Sequence, residues 1–445
     1  MGIANKIKFS ELNKTTNLIA SSRVQYYWER MEIKPNNRPL NYYLSNDNDF
    51  SVGQLKTEEY AEKSEINLIP IIDQSKAHIA GYTDREDLVY RGKLPVIIFG
   101  DHTRVFKFVD FPFVQGADGI KVLYPDDNKV DPLFFFYLLR HIDVPSRGYN
   151  RHFSILSVQR YFIFDIEKQK NIISRILPIE KEINELENSK LQPVNIINQV
   201  FGEEFGFNWE KFETIKKEKT YSSSISKFAN NIDCRMGIRF HNKAGAYVQS
   251  FLESKTNKRI KDFISEPIVL GKSVSPSDYD EGGEYFYIAM SNIKTWAFDP
   301  EDCKKVSESY AASNPNKTVK KGDILLARSG EGTIGKVALI EDEDMNGIFA
   351  DFTQRIRLTG FDPLCAYYYM RSDFFQYLVY THKKGLGNNT NIFPSQIKEF
   401  PIPDWDKTKQ AEIVEKIKTQ LDEQKAIDRQ IEEKQQAINK IIEDA

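Results

Sequence analysis

The sequence has few cysteines and no residue spacing typical of a metal site. Its 445 residues include three isolated cysteines, Cys234, Cys303 and Cys365, and six histidines. It contains no Cys-x-x-Cys pair and no His-x-x-x-His pair, which are spacings that zinc sites commonly use. We therefore expect no disulfide bonds and no bound metal ion.

Long apolar runs are also missing from the sequence. Nowhere do about 18 uncharged apolar residues follow one another, as a membrane-spanning helix requires, and residues 1–20 lack the apolar stretch of a secretory signal. The sequence therefore predicts a cytoplasmic protein that does not contact a membrane.

The chain has no excess of positive charge. It carries 61 Lys and Arg against 64 Asp and Glu, a net charge of −3, whereas a strongly basic domain is typical of nucleic-acid binders. A nucleic-acid interface would have to be built locally, from basic loops, while acidic residues lie elsewhere, as at Glu341–Asp344 and in the C-terminal helix. The composition, 40% hydrophobic and 28% charged, is that of a folded protein with two or three domains.

An internal repeat organises the chain. The segment Asp131–Arg140 matches Asp362–Arg371, with Asp-Pro-Leu at the start and Arg at the end of both. Three weaker matches keep the same order: Gln169–Ile176 with Gln410–Ile417, Val96–Phe99 with Ile324–Ala327, and Gly119–Val122 with Arg355–Leu358. We interpret this as a duplicated unit.

Each repeat is predicted to contain strands, a short helix and a long helix. Strands are predicted at Asn67–Ile72, Val96–Phe99, Gly283–Met290 and Lys336–Ile340. Short helices begin at a proline, over Pro132–Arg140 and Pro363–Tyr380.

The long helices follow these short ones. In the first, Ile172, Ile176, Ile179, Ile183 and Leu186 alternate at spacings of 4 and 3, which is typical of a coiled-coil seam, and Pro178 should kink this helix or mark its beginning. The second runs from about Lys409 to Glu443. The two could pair with each other, or each could pack on its own domain.

The glycine-rich segment Gly330–Val337 resembles a phosphate-binding loop. A dinucleotide-binding loop leads into a helix, but Val337–Ile340 is predicted to be a strand, and a P-loop needs Ser or Thr after Lys336, where Val337 stands. We therefore predict that Gly330–Gly335 forms the turn of a hairpin rather than a nucleotide site.

Polar loops recur in both repeats. One pair lies between the aromatic helix and the long helix, at Arg147–His152 and His382–Asn391, and another follows equivalent strands, at Gly100–Lys107 and Ala327–Gly330. Arg and Lys can contact phosphates or guanine, and Asn can bond adenine through two hydrogen bonds. The residues that we predict to bind DNA are His102, Arg104, Lys107, Arg147, Asn150, Arg151, His152, Arg328, Ser329, Lys336, Lys383, Lys384, Asn388, Asn389 and Asn391.

Two further segments carry a family resemblance. Lys321–Gly330 with Thr333–Ala338, and Phe400–Pro403 before Gln410–Val414, resemble the specificity subunit of type I restriction-modification systems. The first half departs from the pattern, with Leu94-Pro95 where Gly322-Asp323 stands. The resemblance implies an α+β fold with two tandem target-recognition domains, joined by two long helices that form an antiparallel coiled coil with pseudo-two-fold symmetry.

The resemblance also implies domain boundaries. They are a first target-recognition domain with an N-terminal arm (1–165), a central spacer helix (166–205), a linker (206–234), a second target-recognition domain (235–404) and a C-terminal spacer helix (405–445).

By the same resemblance, the chain is not an enzyme. Each domain would read one half of a bipartite site in double-stranded DNA and direct adenine methylation and restriction by partner subunits. The partners would be two modification subunits, which carry S-adenosylmethionine, and restriction subunits, which use ATP and Mg²⁺. The alternative is a repeated-domain scaffold that binds proteins without reading DNA, and an enzyme such as a nuclease is a third hypothesis.

Overall fold

A computed structural model provides the architecture of the chain. It describes residues 37–45, 53–61, 68–117, 119–142, 144–145, 151–218, 220, 222, 224–226, 235, 237–301, 303–386 and 389–444. The chain divides into two compact units. The first unit comprises Met1–Asn188 and Gln430–Ala445, and the second unit comprises Ser189–Arg429.

The first unit contains eight short strands in the part of it that the structure describes. Their bounds are β1 (Arg38–Pro39), β2 (Ile69–Ile72), β3 (Gly81–Thr83), β4 (Val96–Gly100), β5 (Phe106–Val109), β6 (Val114–Gln115), β7 (Ile120–Leu123) and β8 (Arg160–Tyr161). They form a sheet of order β3-β2-β6, a sheet of order β5-β4-β7, and the pair β1-β8. All five residues of β4 are buried, as expected of a central strand that is covered on both faces.

The second unit repeats the order of the two three-stranded sheets and adds a fourth strand to one of them. Its strands are β9 (Val269–Leu270), β10 (Tyr285–Ile288), β11 (Lys305–Val306), β12 (Ile324–Ala327), β13 (Val337–Leu339), β14 (Gly347–Phe349) and β15 (Thr353–Ile356). The sheets have the orders β11-β10-β14 and β13-β12-β15-β9. In both units the first sheet pairs its central strand antiparallel to one neighbour and parallel to the other, and every pairing in the second sheet is antiparallel.

The helices follow in chain order. They are α1 (Pro132–His141), α2 (Phe153–Val158), α3 (Ile166–Ser189), α4 (Pro193–Phe205), α5 (Trp209–Lys216), α6 (Lys243–Lys255), α7 (Glu308–Ala312), α8 (Pro363–Arg371), α9 (Asp373–His382), α10 (Pro394–Ile397) and α11 (Lys407–Glu443). The fold is therefore mixed helix and sheet, as predicted. Among the described residues, no helix has the length and apolar content that crossing a membrane would need.

The strands and the hairpin turn predicted from the sequence are confirmed, but the alignment of the repeats was shifted. The turn from Gly330 to Gly335 joins β12 to β13 in an antiparallel pair. The hydrogen-bonded registers match Ile97, not Val96, with Ile324, and Ile120 with Thr353, not Ile356. Runs of apolar residues can be aligned in several registers almost equally well. The hydrogen bonds between the strands are therefore needed to establish which residues of the two units correspond.

Two predicted helices are each divided in the structure. The central spacer helix predicted over 166–205 consists of α3 and α4, because Pro193 restricts the backbone of the residue before it and starts a new helix. The helix predicted over Pro363–Tyr380 consists of α8 and α9, which meet at the extended, buried Ser372. Pro178 lies inside α3 and does not begin it.

A buried glutamine fastens the short helix of each unit. The Asp131 side chain accepts hydrogen bonds from the first turn of α1, and the Asp362 side chain does the same for α8, so each aspartate is an N-cap. The backbone N–H of Asp131 donates to Oε1 of Gln169 at 2.7 Å, and that of Asp362 donates to Oε1 of Gln410 at 2.6 Å. We call this arrangement the aspartate–glutamine latch.

The long helices bury part of the predicted apolar stripe, whereas Ile179 and Leu186 are only partly buried. Ile172, Ile176 and Ile183 of α3 are buried, as are Ile413 and Ile417 of α11. In the first unit, Lys434 forms an ion pair with Glu182 of α3. In the second unit, Lys190 pairs with Asp428, and the backbone N–H of Leu191 donates to Gln424 at 2.7 Å.

Candidate nucleic-acid interface

Arg328 lies where β12 ends in the second unit, and its backbone is held on both sides. Its N–H donates to the Phe352 carbonyl at 2.9 Å, and its carbonyl accepts from the N–H of Ile392 at 2.9 Å. The guanidinium donates to the Asp351 carbonyl at 2.9 Å and to Oδ1 of Asn391 at 3.3 Å. This side chain is therefore positioned in advance, which lowers the entropy lost on binding.

The loop between Lys384 and Asn391 closes over this arginine. The backbones of these two residues exchange two hydrogen bonds of 2.7 Å. Gly385 has φ +101°, and a Cβ there would lie 2.2 Å from the Asn389 carbonyl, so the turn requires glycine. Leu386, at the loop, is 84% exposed, and Asn389 is also exposed.

Glu331 and Lys383 anchor the same loop from within. Lys383 is buried, and its Nζ lies 2.8 Å from Oε1 of Glu331. Thr390 Oγ1 donates to Oε2 of Glu331 at 3.2 Å. The hydrogen bond from Lys383 holds the pKa of Glu331 below its ordinary value. The structure thus places Lys383 in a supporting position, not on the surface of the loop.

Ser329 and Lys336, both predicted to bind DNA, border the hairpin turn. Ser329 is buried, and its Oγ donates to the Thr390 carbonyl at 3.1 Å. The half-buried Lys336 places its Nζ 5.8 Å from the centre of the Trp296 ring, within the range of a cation–π contact. Ser329 therefore supports the loop, and Lys336 lies on the opposite side of the turn.

The equivalent turn of the first unit has the same backbone hydrogen bonds. The Asp101 N–H donates to the Gly119 carbonyl at 2.6 Å, and the His152 N–H donates to the Asp101 carbonyl at 2.9 Å. Asp101 thus corresponds to Arg328, and His152 corresponds to Ile392. The Asp101 carboxylate also accepts from the N–H of Phe153 at 2.7 Å.

The predicted residues of the first unit differ in exposure. Arg104 and Arg151 are exposed and His102 is half-buried. His152 is 0% exposed, and Lys107, 3% exposed, lies with its Nζ 3.7 Å from the Asp73 carboxylate. Burial lowers the pKa of Lys107. Both buried side chains support the turn from the interior.

Three predicted residues, Arg147, Asn150 and Asn388, lie outside the described residues. Sequence reasoning also missed two residues that the structure brings to this surface, Phe352 and Phe393. The Arg328 guanidinium lies 5.3 Å from the centre of the Phe352 ring and 6.0 Å from that of Phe393. No motif in the sequence singled out Phe352, and only the structure places it directly before β15.

In the second unit, Arg328, Lys384, Asn389 and Asn391 thus form one cluster of donors and acceptors, which we call the Arg328 cluster. Across the described residues, no group of three or more His, Cys, Asp or Glu side chains could hold a metal ion. The chemistry available to the Arg328 cluster is hydrogen bonding and charge pairing, which suits phosphates and base edges.

The second unit matches a sequence model of a known family. Residues 253–437 match the model described as "Type I restriction modification DNA specificity domain". The match covers less than half of the chain, and the Arg328 cluster lies within it. The resemblance predicted from the sequence is therefore confirmed for this stretch.

A curated relative agrees with this assignment. The chain is 38% identical to the "Type I restriction enzyme EcoR124I/EcoR124II specificity subunit" of Escherichia coli over 73 residues, which are 16% of this chain and 18% of that subunit. The match to this relative therefore spans about a fifth of its length.

Solved structures of type I restriction-modification systems are also similar to the chain. The first is a structure from a study of complex assembly and conformational transition in a type I system. It is 12% identical to this chain, has a TM-score of 0.41, and the match covers 93% of this chain and 98% of the other. Another is the S subunit from M. genitalium, with 12% identity, a TM-score of 0.43, and coverage of 92% and 97%.

Proposed function

We propose that this chain is the non-catalytic, sequence-specific DNA-binding subunit of a type I restriction-modification system. The observation that carries the proposal is the match of residues 253–437 to the specificity domain, because the Arg328 cluster lies within that stretch. The chain would act in the cytoplasm on double-stranded DNA.

Each unit would read one half of a bipartite target. The shared strand order and the equivalent backbone hydrogen bonds at Asp101 and Arg328 support two readers built on one plan. The readers carry different side chains, so the half-sites would differ in sequence. The domains would keep the predicted bounds 1–165 and 235–404, with helical spacers and a linker between and after them.

The long helices would form an antiparallel coiled coil. The ion pair of Lys434 with Glu182 in the first unit and that of Lys190 with Asp428 in the second support this pairing. In both pairs α11 supplies one partner. Position increases from Glu182 of α3 to Lys190, the residue after its end, as it decreases along α11 from 434 to 428, which is the antiparallel sense.

The residues that contact DNA would be exposed and half-exposed members of the predicted set. In the second unit these are Arg328, Lys336, Lys384, Asn389 and Asn391, and in the first unit His102 and Arg151, while Arg104, which lines a groove beside β5, stays a prediction. His152, Lys107, Ser329 and Lys383 would act indirectly by holding the loops. Arg147, Asn150 and Asn388 stay predictions.

Partner subunits would perform the chemistry. Two modification subunits would methylate adenine with S-adenosylmethionine, and restriction subunits would use ATP and Mg²⁺. This chain would bring them to the target, and none of its own side chains would react.

The proposal is tested with two single variants in the assembled complex with the modification subunit. Asn389→Ala should relax one half of the recognised sequence, because losing a base contact removes about 1–3 kcal/mol of discrimination at one position. Arg151→Ala should affect the other half only. The measurement is selection of bound sequences from a random duplex library, followed by mapping of methylated adenines.

Two results would contradict the proposal. If both variants altered the same half-site, one unit would not read one half. If neither the wild-type complex nor the variants preferred any sequence, the scaffold hypothesis would replace DNA reading.

A further inference from the structure

A groove of about 770 Å³ runs along strand β5 in the first unit. One wall is formed by six consecutive residues, Thr103–Phe108, and the opposite wall by α1 and α3. Among the side chains on the α1 wall are the aromatic rings of Phe136 and Tyr137. The groove therefore follows most of β5 and has an aromatic wall.

Strand β5 is an edge strand whose outer side faces this groove. The sheet order is β5-β4-β7, and the Gly100 N–H donates to the Val105 carbonyl at 2.8 Å. Alternate residues of an antiparallel strand bond to the partner strand, so Lys107 and Val109 bond to β4. Phe106 and Phe108 therefore direct their backbone N–H and C=O groups outwards. No strand in the described part of the chain pairs with this side of β5, so it offers a template for another strand.

The described residues that line the groove carry more positive than negative charge. Lys76, Arg104 and Arg140 are cationic, and Glu180 is the one carboxylate among them. Glu180 already lies 3.5 Å from Arg140. The cationic residues therefore complement an acidic occupant.

In the second unit the corresponding place is filled by that unit's own residues. Gly335 corresponds to Arg104, and its carbonyl accepts a hydrogen bond of 2.9 Å from Gln376 of α9. Tyr367, which corresponds to Phe136, donates to the Trp296 carbonyl. The second unit thus covers this surface with its own residues, whereas the first unit has a groove there.

Arg104 occupies this position at a cost in backbone energy. Its φ is +63°, which lies in the left-handed region that residues other than glycine rarely adopt. The equivalent residue of the second unit is a glycine with φ +87°. Strained non-glycine residues commonly occur at binding sites, and the Arg104 side chain lines the groove.

We propose that this groove binds an extended, acidic segment of a partner protein, which adds to β5 as a further strand. An added strand offers a hydrogen-bond donor and an acceptor to the backbone of each outward-facing residue. A DNA backbone would offer only acceptors, and its phosphates would be repelled by the outward carbonyls of Phe106 and Phe108. The proposal does not depend on DNA reading by either unit.

The test uses the full chain and a fluorescent peptide of alternating Glu and Val, seven residues long. Binding is followed by fluorescence anisotropy, and backbone protection by hydrogen exchange. We expect the peptide to bind, to slow exchange at the amides of Phe106 and Phe108, and to bind about fivefold more weakly to Arg104→Gly, as the loss of one exposed charge pair predicts. Glycine is the residue that the second unit has here, so this variant is expected to fold.

The matched control is Arg91→Gly, which removes an exposed arginine of the same unit that does not line the groove. It should bind the peptide as the wild type does. A second control peptide has Lys in place of Glu and should not bind.

Several results would overturn the proposal. They are no binding, binding without protection of these two amides, equal weakening by both variants, or protection of the same amides by duplex DNA. Concentration-dependent self-association of the chain that protects them would assign the groove to a second copy instead.

Discussion

Gln410 is 1% exposed and joins three segments of the second unit through one side chain. Its Oε1 accepts from the Asp362 N–H at 2.6 Å, and its Nε2 donates to the Trp405 carbonyl at 2.6 Å. Gln169 does the same in the first unit, with Asp131 and Phe164. A polar side chain can be buried in this way because both of its groups have partners.

Removing the Gln410 side chain should destabilise the second unit strongly. Gln410→Ala leaves a buried N–H and a carbonyl without a partner, each costing about 1–3 kcal/mol, so we expect a loss of about 2–4 kcal/mol in the free energy of unfolding. Gln436→Ala, at an exposed position of the same helix, is the matched control and should change stability little. Urea denaturation measures both, and equal losses would show that the latch contributes nothing of its own.

His382 should make stability depend on pH. Burial lowers its pKa, so the folded state disfavours the protonated ring. Between the lowered folded pKa and the unfolded value of about 6.5, the unfolded state binds more protons, and stability rises with pH. As the pH falls below about 6.5, the wild type should lose stability, and His382→Gln should lose less. Identical pH profiles from thermal unfolding would contradict this.

At the scale of residues, the sequence could indicate side-chain chemistry but not burial. Lys107 and Lys383 are residue types expected in a DNA-contacting loop, yet both are buried and form ion pairs with Asp73 and Glu331. Those partners are distant in sequence, so only the fold reveals them. Asn389 is exposed, and its contact with DNA stays a prediction.

At the scale of elements, the sequence allowed us to predict which segments form helices, but it indicated less well where the helices end. The Asp-Pro start of α1 and α8 has a clear local cause, since an N-cap and a proline at the first position act within one turn. The break between α8 and α9 at Ser372 has no such signal, because Phe374 and Phe375 continue an apolar pattern into the core. Tertiary packing decides the break.

The apolar stripe of α3 can be tested with two adjacent residues. Ile176 is fully buried, whereas Leu177 is 49% exposed. Ile176→Ala should lower the free energy of unfolding by about 2–5 kcal/mol, and Leu177→Ala should change it by less than about 0.5 kcal/mol. A calorimetric or denaturant series measures both. A similar loss from each would mean that the stripe does not define the packed face.

At the scale of the whole molecule, the repeat was visible in the sequence because the latch uses the same residues twice. The arrangement of strands within each unit was not visible, since short runs such as Val114–Gln115 are too brief to predict. The net charge of −3 also gave no indication of where cations gather, which depends on loops brought together by the fold.

The salt dependence of DNA affinity should reflect these local cations and not the net charge. Each phosphate contact contributes about one unit to the slope of log affinity against log salt. Lys384→Ala should reduce that slope by about 1 and weaken binding to all sequences alike. Lys418→Ala, at an exposed position of α11, serves as the charge-matched control. A weakening confined to one sequence would identify Lys384 as a base reader instead.

The aspartate–glutamine latch has a consequence for how such genes can recombine. A fragment that runs from Asp131 to Gln169, or from Asp362 to Gln410, encodes both partners of its own hydrogen bonds. Because both fragments carry the aspartate and the glutamine at equivalent places, an in-register crossover inside the interval also joins an aspartate to a glutamine. New half-domains should therefore keep these bonds wherever the breakpoint falls, provided that the register is kept.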